Sequence, residues 1–325
     1  MADSEELGKR HTMEKLRDLD SSLERSTTVQ ESQYHLLGHR RDFSPLEIIA
    51  LGFNVSNSWV AIAVSFAVVV AAGGPVTLVY GVIVACVMYT AVAISLAELA
   101  SVYPTAGGQY HFTSLVAPKA ISRSASYACG MIATFSWIAL CTAATIIAAQ
   151  LLLALPAYFI NTYIPQPWHY FVVYQAINIV VLVYNLFVLK RTPWVHNIGC
   201  KSLIHLGCAR ILTAAVALTL VTFLLTVVVC LALSTKQPSS YVWTQLQNST
   251  GWSDGVCFLT GLATPCFMYA GIDASLHLAE ECTNPKKTVP RALFSTVIIG
   301  FVTALVFSIS MCYSIVDLDA MLDTT

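Results

Sequence analysis

Apolar residues run along this chain in seven long blocks, and two of the blocks are interrupted halfway by residues that a membrane helix avoids. The first interrupted block covers 46–72 and carries Gly52, Asn54, Ser56, Asn57 and Ser58 in its middle; the second covers 255–281 and carries Gly271 and Asp273. In hydrocarbon an unpaired backbone amide or carbonyl costs several kcal/mol, so irregular backbone persists only where it is buried in protein or lines a cavity. Two such breaks, far apart in sequence, are the pattern of a secondary transporter that holds its substrate between half-helices.

A bilayer core of about 30 Å takes about 20 apolar residues per helix, and each block is long enough. The pattern predicts spans near 46–72, 76–100, 126–155, 169–189, 211–233, 255–281 and 291–316, with a disordered tail over 1–45 and an external end over 317–325. Residues 202–233 read as apolar for longer than one crossing needs, and Arg210 interrupts them. The fifth span is therefore expected to start after Arg210, with 200–210 cytoplasmic, and 200–217 stays open as an insertion into the fold.

Composition agrees with a polytopic membrane protein: 56% of residues are hydrophobic, 11% are charged and mean hydropathy is +0.68, where a soluble domain carries about 25% charge. Nine acidic and seven basic residues crowd into 1–45, whereas 48–97 and 124–189 carry none. The tail shows no basic stretch leading into an apolar run, so the first span is expected to serve as the insertion signal. Of the 17 Lys and Arg residues, 16 fall in the tail and the even-numbered connections and only Lys236 lies opposite, which puts the amino terminus in the cytoplasm. A seven-helix receptor needs the reverse orientation, and the same count disfavours it. The sequon Asn248-Ser249-Thr250 then lies outside, open to glycosylation, while Asn54-Val55-Ser56 lies in the membrane and is expected to be silent. A net charge of −1 without a basic stripe argues against nucleic acid as a partner; the lipid bilayer is the expected surroundings.

Ser44-Pro45-Leu46-Glu47 reads as a capping box that starts the first half-helix. Beyond it, the stretch Gly52 to Trp59 has two readings: an unwound segment whose carbonyls and amides bind ligand, or a continuous helix whose polar side chains bond to neighbours. In the second block Pro265 and Gly271 permit unwinding. Asp273 is either a partner for an ion, a proton or a cationic substrate, or simply a helix cap. The rings of Phe53, Trp59, Trp137 and Tyr269 are candidates to surround a quaternary ammonium, although membrane aromatics also serve as packing. Pro104-Thr105-Ala106-Gly107-Gly108-Gln109-Tyr110 lacks the Gly-Lys-Ser/Thr of a phosphate loop and reads as a tight turn at the inner mouth. His196, Cys200, His205 and Cys208 fit no familiar zinc spacing, so neither metal nor cofactor is expected. No catalytic triad or hydrolytic pair of acids is present, and an enzyme is not expected.

The run from Leu51 through Trp59, the Gly73-Gly74-Pro75 and Tyr80-Gly81 pairings, Ser95-Leu96-Ala97-Glu98-Leu99-Ala100-Ser101, and the turn 104–110 together resemble the amino acid/choline transporter group of fungal permeases. That group lies within the amino acid-polyamine-organocation superfamily. Gly271-Ile272-Asp273 through His277, Glu280-Glu281, Asn284-Pro285 and Val289-Pro290-Arg291 look like the loop after that family's sixth helix. The resemblance implies an all-α membrane protein with the LeuT-like inverted-repeat transporter fold, first and sixth helices broken. It also implies proton-coupled uptake of choline, 4-aminobutyrate, a polyamine or an amino acid by alternating access at the plasma membrane. Carried over by position, the substrate site would comprise Gly52, Phe53, Asn54, Asn57, Tyr269, Gly271 and Asp273. Glu98, Gly107, Gly108, Glu280 and Glu281 would form the cytoplasmic gate. Family members have about twelve spans and seven are visible here, so an incomplete bundle is expected, either active or a fragment that inserts without transporting.

Overall fold

The computed structural model describes residues 44–160, 163–189, 201–248, 250–282 and 284–315, with the side chains of 188–189 and 201–213 outside that description. The expected tail, the external end and the Cys/His cluster of the fourth connection lie outside the described residues or side chains.

The chain is all-helical, and among the described residues seven helices, two of them broken, are long and apolar enough to cross a membrane. The first span begins at α1 (Pro45–Ser56). Its start is the capping box read from sequence: the Glu47 carboxylate accepts from the Ser44 N–H at 2.6 Å, and the Ser44 hydroxyl accepts from the Glu47 N–H at 3.4 Å. Asn57 then turns left-handed (φ 35°, ψ 59°), and the span resumes as α2 (Ser58–Ala71). A two-residue strand β1 (Ala72–Gly73) leads into α3 (Gly74–Val102), the second span. Short α4 (Gly108–Val116) precedes the third span, α5 (Ser122–Phe159), and the fourth is α6 (Pro167–Val183), which continues as a π-turn over Tyr184–Leu189.

The fifth span lies in α7 (Lys201–Leu233), of which Ala214–Leu233 is, among the described residues, long and apolar enough to cross a membrane. Backbone hydrogen bonding along a helix is indifferent to one charged side chain, so Arg210 does not break it. After α8 (Ser239–Trp243), the strand β2 (Gln247–Asn248) pairs antiparallel with β1, Ala72 opposite Asn248. The sixth span is built from fragments: α9 (Asp254–Gly261), α10 (Ala263–Cys266), a 3₁₀ turn Phe267–Tyr269, α11 (Ala274–His277) and a second 3₁₀ turn Ala279–Glu281. The seventh is α12 (Pro285–Ser314). Breaks therefore fall in the first and sixth spans, as the inverted-repeat reading requires.

Burial divides these helices. α12 packs on α1, α2 and α3, and α11 packs on α1 and α12, enclosing Ile48, Ile62, Val69, Leu78, Val82, Leu276, Leu293 and Phe307. Half of the most apolar window in both the first and last spans is buried, against none in the fourth. α5 rests on α4 and α6, and α7 on α1 and α12, while Leu151, Phe171, Val180 and Val228 point outward. Outward apolar side chains suit lipid, where no water competes for backbone bonds.

Candidate functional site

The first break is narrower than the sequence suggested. The Ser56 hydroxyl donates to the Gly52 carbonyl at 2.8 Å and the Asn57 N–H to Phe53 O at 2.8 Å, so α1 stays helical through Gly52, Phe53 and Asn54. Polar side chains that bond within their own helix do not unwind it. Only Asn57 leaves the helix, and its Oδ1 is buried without a hydrogen-bond partner among the described residues. Gly52 is buried against Thr296 of α12, whose Oγ1 is likewise unpartnered; Phe53 is 2% exposed and Asn54 half-buried.

The second break is the wider one. Ala270 is extended in ψ (129°), and Gly271 has φ 81°, which an L side chain rarely adopts. Space forbids a side chain there as well, because a Cβ on Gly271 would sit 2.8 Å from Val55 Cγ1. The two breaks are tied together: the Ser58 hydroxyl donates to the Met268 carbonyl at 2.7 Å. Tyr269, 1% exposed, donates from its hydroxyl to Val297 O at 3.1 Å and packs on Tyr89.

Asp273 sits at the start of α11, yet its side chain makes no capping bond. Its Oδ2 accepts from Gln109 Nε2 at 2.8 Å and from Trp137 Nε1 at 3.3 Å, and lies 3.4 Å from His277 Nε2. Capping, one of the two readings open from sequence, is thus set aside: the carboxylate reaches across to α4 and α5. His277 Nδ1 lies 2.9 Å from the Ala106 carbonyl, and the Ala106 N–H donates to Glu280 Oε1 at 2.9 Å. Residues 273, 277 and 280 are one helical turn apart, so one face of the sixth span holds the turn before α4 at Ala106 through His277 and Glu280, and α4 itself at Gln109 through Asp273. Gly107 and Gly108 form that turn, Gly108 at φ 51° with the His277 ring beside it. Glu281 is exposed, and so is Glu98 on α3; neither carboxylate bonds to the turn among the described residues.

The four candidate rings are not assembled into one box. Trp59 packs between Phe223 (5.8 Å) and Phe307 (5.6 Å), Phe53 and Tyr269 are buried, and Trp137 alone reaches Asp273. Trp137 and His277 also line a cavity of about 790 Å³ between α4, α5 and α6, with Tyr110, Tyr127, Thr134 and Asn178. Gln109 and His277 lie outside the site expected from sequence, although the spacing of 273, 277 and 280 was there to find. Asn248 has its side-chain nitrogen bonded to Trp252 O (2.6 Å) and Asp254 Oδ1 (2.9 Å).

Compared with known proteins, the chain is 30% identical over 315 residues to a choline transporter of Saccharomyces cerevisiae, covering 96% of this chain and 52% of that protein. It is 24% identical over 330 residues to a 7-keto 8-aminopelargonic acid transporter of the same yeast (87% and 55% covered). A swainsonine transporter of Arthroderma benhamiae is 29% identical over 286 residues (85% and 52%). The chain spans about half the length of the curated relatives it matches. No solved structure matches it significantly. The sequence model of the amino acid permease family matches residues 43–324, every helix described above, and with the two tied breaks this establishes that the chain belongs to that family.

Proposed function

We propose that the chain works as part of a secondary active transporter for a small amine or amino acid, by proton-coupled alternating access at the plasma membrane. The observation that carries this reading is the Asp273 carboxylate, set at the broken sixth span and bonded to the N–H of Trp137, a residue that also lines the cavity. An anion held at the edge of an indole offers an ammonium group charge attraction, and the face of the same ring offers cation–π attraction. Buried oxygens of Asn57, Ser275 and Thr296 lack hydrogen-bond partners among the described residues, and each such atom costs about 1–3 kcal/mol until something bonds to it. They supply candidate contacts for a polar substrate or a coupling ion at the breaks. The backbone N–H groups that open α2 favour a substrate carboxylate.

Spans one, two, six and seven share one core, which supports a rocking of these four against the others as the access step. The names of the relatives put choline, amines and related nitrogen compounds first among the substrates to try. The test is uptake of radiolabelled choline, 4-aminobutyrate and a basic amino acid by permease-deficient yeast expressing the 325-residue chain, beside a version extended by the further helices of a relative. Uptake by either form, stimulated by an inward proton gradient, is expected. No uptake of any amine or amino acid by either form, with both present at the cell surface, overturns the reading.

A further inference from the structure

His277 stands between two atoms of the same chemical kind. The Ala106 carbonyl oxygen, 2.9 Å from Nδ1, can only accept a hydrogen bond. Asp273 Oδ2, 3.4 Å from Nε2, already accepts from Gln109 and Trp137 and therefore presents lone pairs to the ring. A neutral imidazole carries one N–H and satisfies one of these neighbours, turning its own lone pair toward the other; an imidazolium carries two and satisfies both.

We infer that His277 is a proton-linked latch: protonated, it ties the Ala106 carbonyl of the turn before α4 to Asp273, and on losing its proton it releases one end of the tie. The neighbouring groups are compatible with a positive charge at this point. On its own element stand Asp273 and Glu280, the latter engaged with the Ala106 N–H. α4 contributes Tyr110, which lines the cavity with His277, and His111 beside Gly107. Across the cavity are Tyr127 and Cys141 of α5 and Tyr174 of α6. α1 carries one charged residue, Glu47, bonded to Ser44, and the charges of α12, Lys286, Lys287 and Arg291, are all exposed. The Gln109–Asp273, Trp137–Asp273 and Ala106–Glu280 bonds stay in place, so release loosens the hold of the sixth span on the turn without breaking it, and this eases movement of the turn on opening toward the cytoplasm; this consequence rests on the transport reading above, whereas the latch does not.

The experiment is hydrogen exchange by mass spectrometry on the purified chain in lipid nanodiscs, following the peptide that covers 103–110 on either side of the usual imidazole range and correcting for intrinsic exchange. The turn is expected to be about tenfold better protected on the acid side, in keeping with one charge-assisted hydrogen bond. In His277→Gln, which is uncharged at both pH values, the difference is expected to vanish. Equal protection of the unaltered chain at both pH values, or a pH difference that survives in His277→Gln, overturns the latch. If circular dichroism shows His277→Gln to be unfolded, Asp273→Asn decides: loss of the facing anion moves the midpoint of protection to lower pH, and an unmoved midpoint overturns the inference. Exchange is read without any uptake, so a chain that latches but carries no substrate counts against the transport reading alone.

Discussion

Ser58 donates its hydroxyl to the carbonyl of Met268 at 2.7 Å, so the first residue after the break in one span satisfies an orphan carbonyl beside the break in the other. Both atoms lie in buried residues. The bond helps the chain keep irregular backbone inside an apolar core: the first break supplies a donor for a carbonyl beside the second. Replacing Ser58 with Ala leaves the Met268 carbonyl buried and unbonded. A loss of about 1–3 kcal/mol is expected, read as lowered resistance to denaturant in detergent, with no change in helix content.

Helix α12 approaches this junction through Gly300. A Cβ there would lie 2.4 Å from Ser58 Oγ and 3.3 Å from Tyr269 Cε1. Gly300→Val is therefore expected to cost about 1–3 kcal/mol or more by overpacking, and to lower the folded yield. Gly255→Ala, where nothing lies within 4 Å, is expected to be neutral or slightly stabilising in α9. Fluorescence size-exclusion profiles of the two variants check the contrast, and equal profiles would contradict it.

Two tryptophans that look alike in sequence do different work. Trp59 fills space between Phe223 and Phe307, so Trp59→Ala opens a core cavity and is expected to destabilise by about 3–5 kcal/mol. Trp137→Phe keeps an aromatic ring but removes the N–H that reaches Asp273. Its thermal stability is expected to stay close to that of the unaltered protein, while amine uptake by the extended form falls. Thermal unfolding and uptake measured on both variants separate packing from substrate contact.

Asp273→Asn keeps the shape of the side chain and removes its charge. With Gln109 and Trp137 donating to Oδ2 and His277 Nε2 3.4 Å from it, the change is expected to reduce uptake by about tenfold or more and to flatten its dependence on pH. Uptake with an unchanged pH profile in this variant would remove Asp273 from the coupling mechanism.

Orientation is open to a direct check. With the amino terminus inside, the Asn248 sequon faces outward, and the protein from yeast is expected to lose mass on treatment with an endoglycosidase. Asn248→Gln is expected to abolish that shift. Since the Asn248 amide is held by Trp252 and Asp254 in the folded state, the sugar must be attached before this loop closes. A tail epitope accessible in sealed, intact cells would reverse the orientation.

Much of this molecule was written locally. The capping box at Ser44 and Glu47 and the placement of the breaks in the first and sixth spans depend on side chains acting within a few residues of themselves, and each was legible in the order of residues. So was the number of spans, because the length of an apolar block is fixed by the thickness of hydrocarbon it must cross. Other features depended on competition that a pattern does not display. The polar cluster from Gly52 to Trp59 looked like an extended unwound segment, but Ser56 bonds back to Gly52 and confines the break to Asn57.

What sequence alone determined, then, was an all-helical membrane protein with two broken spans and an acid at the second break. Only the tertiary structure decided what that acid touches. Gln109 and Trp137 lie 164 and 136 positions from Asp273, and Ala106 lies 171 from His277. Hydrogen bonds between residues so distant along the chain follow from how α4, α5 and α11 pack in three dimensions, and apolar periodicity records only that each helix has a face to bury, not which donor will stand opposite a given acceptor.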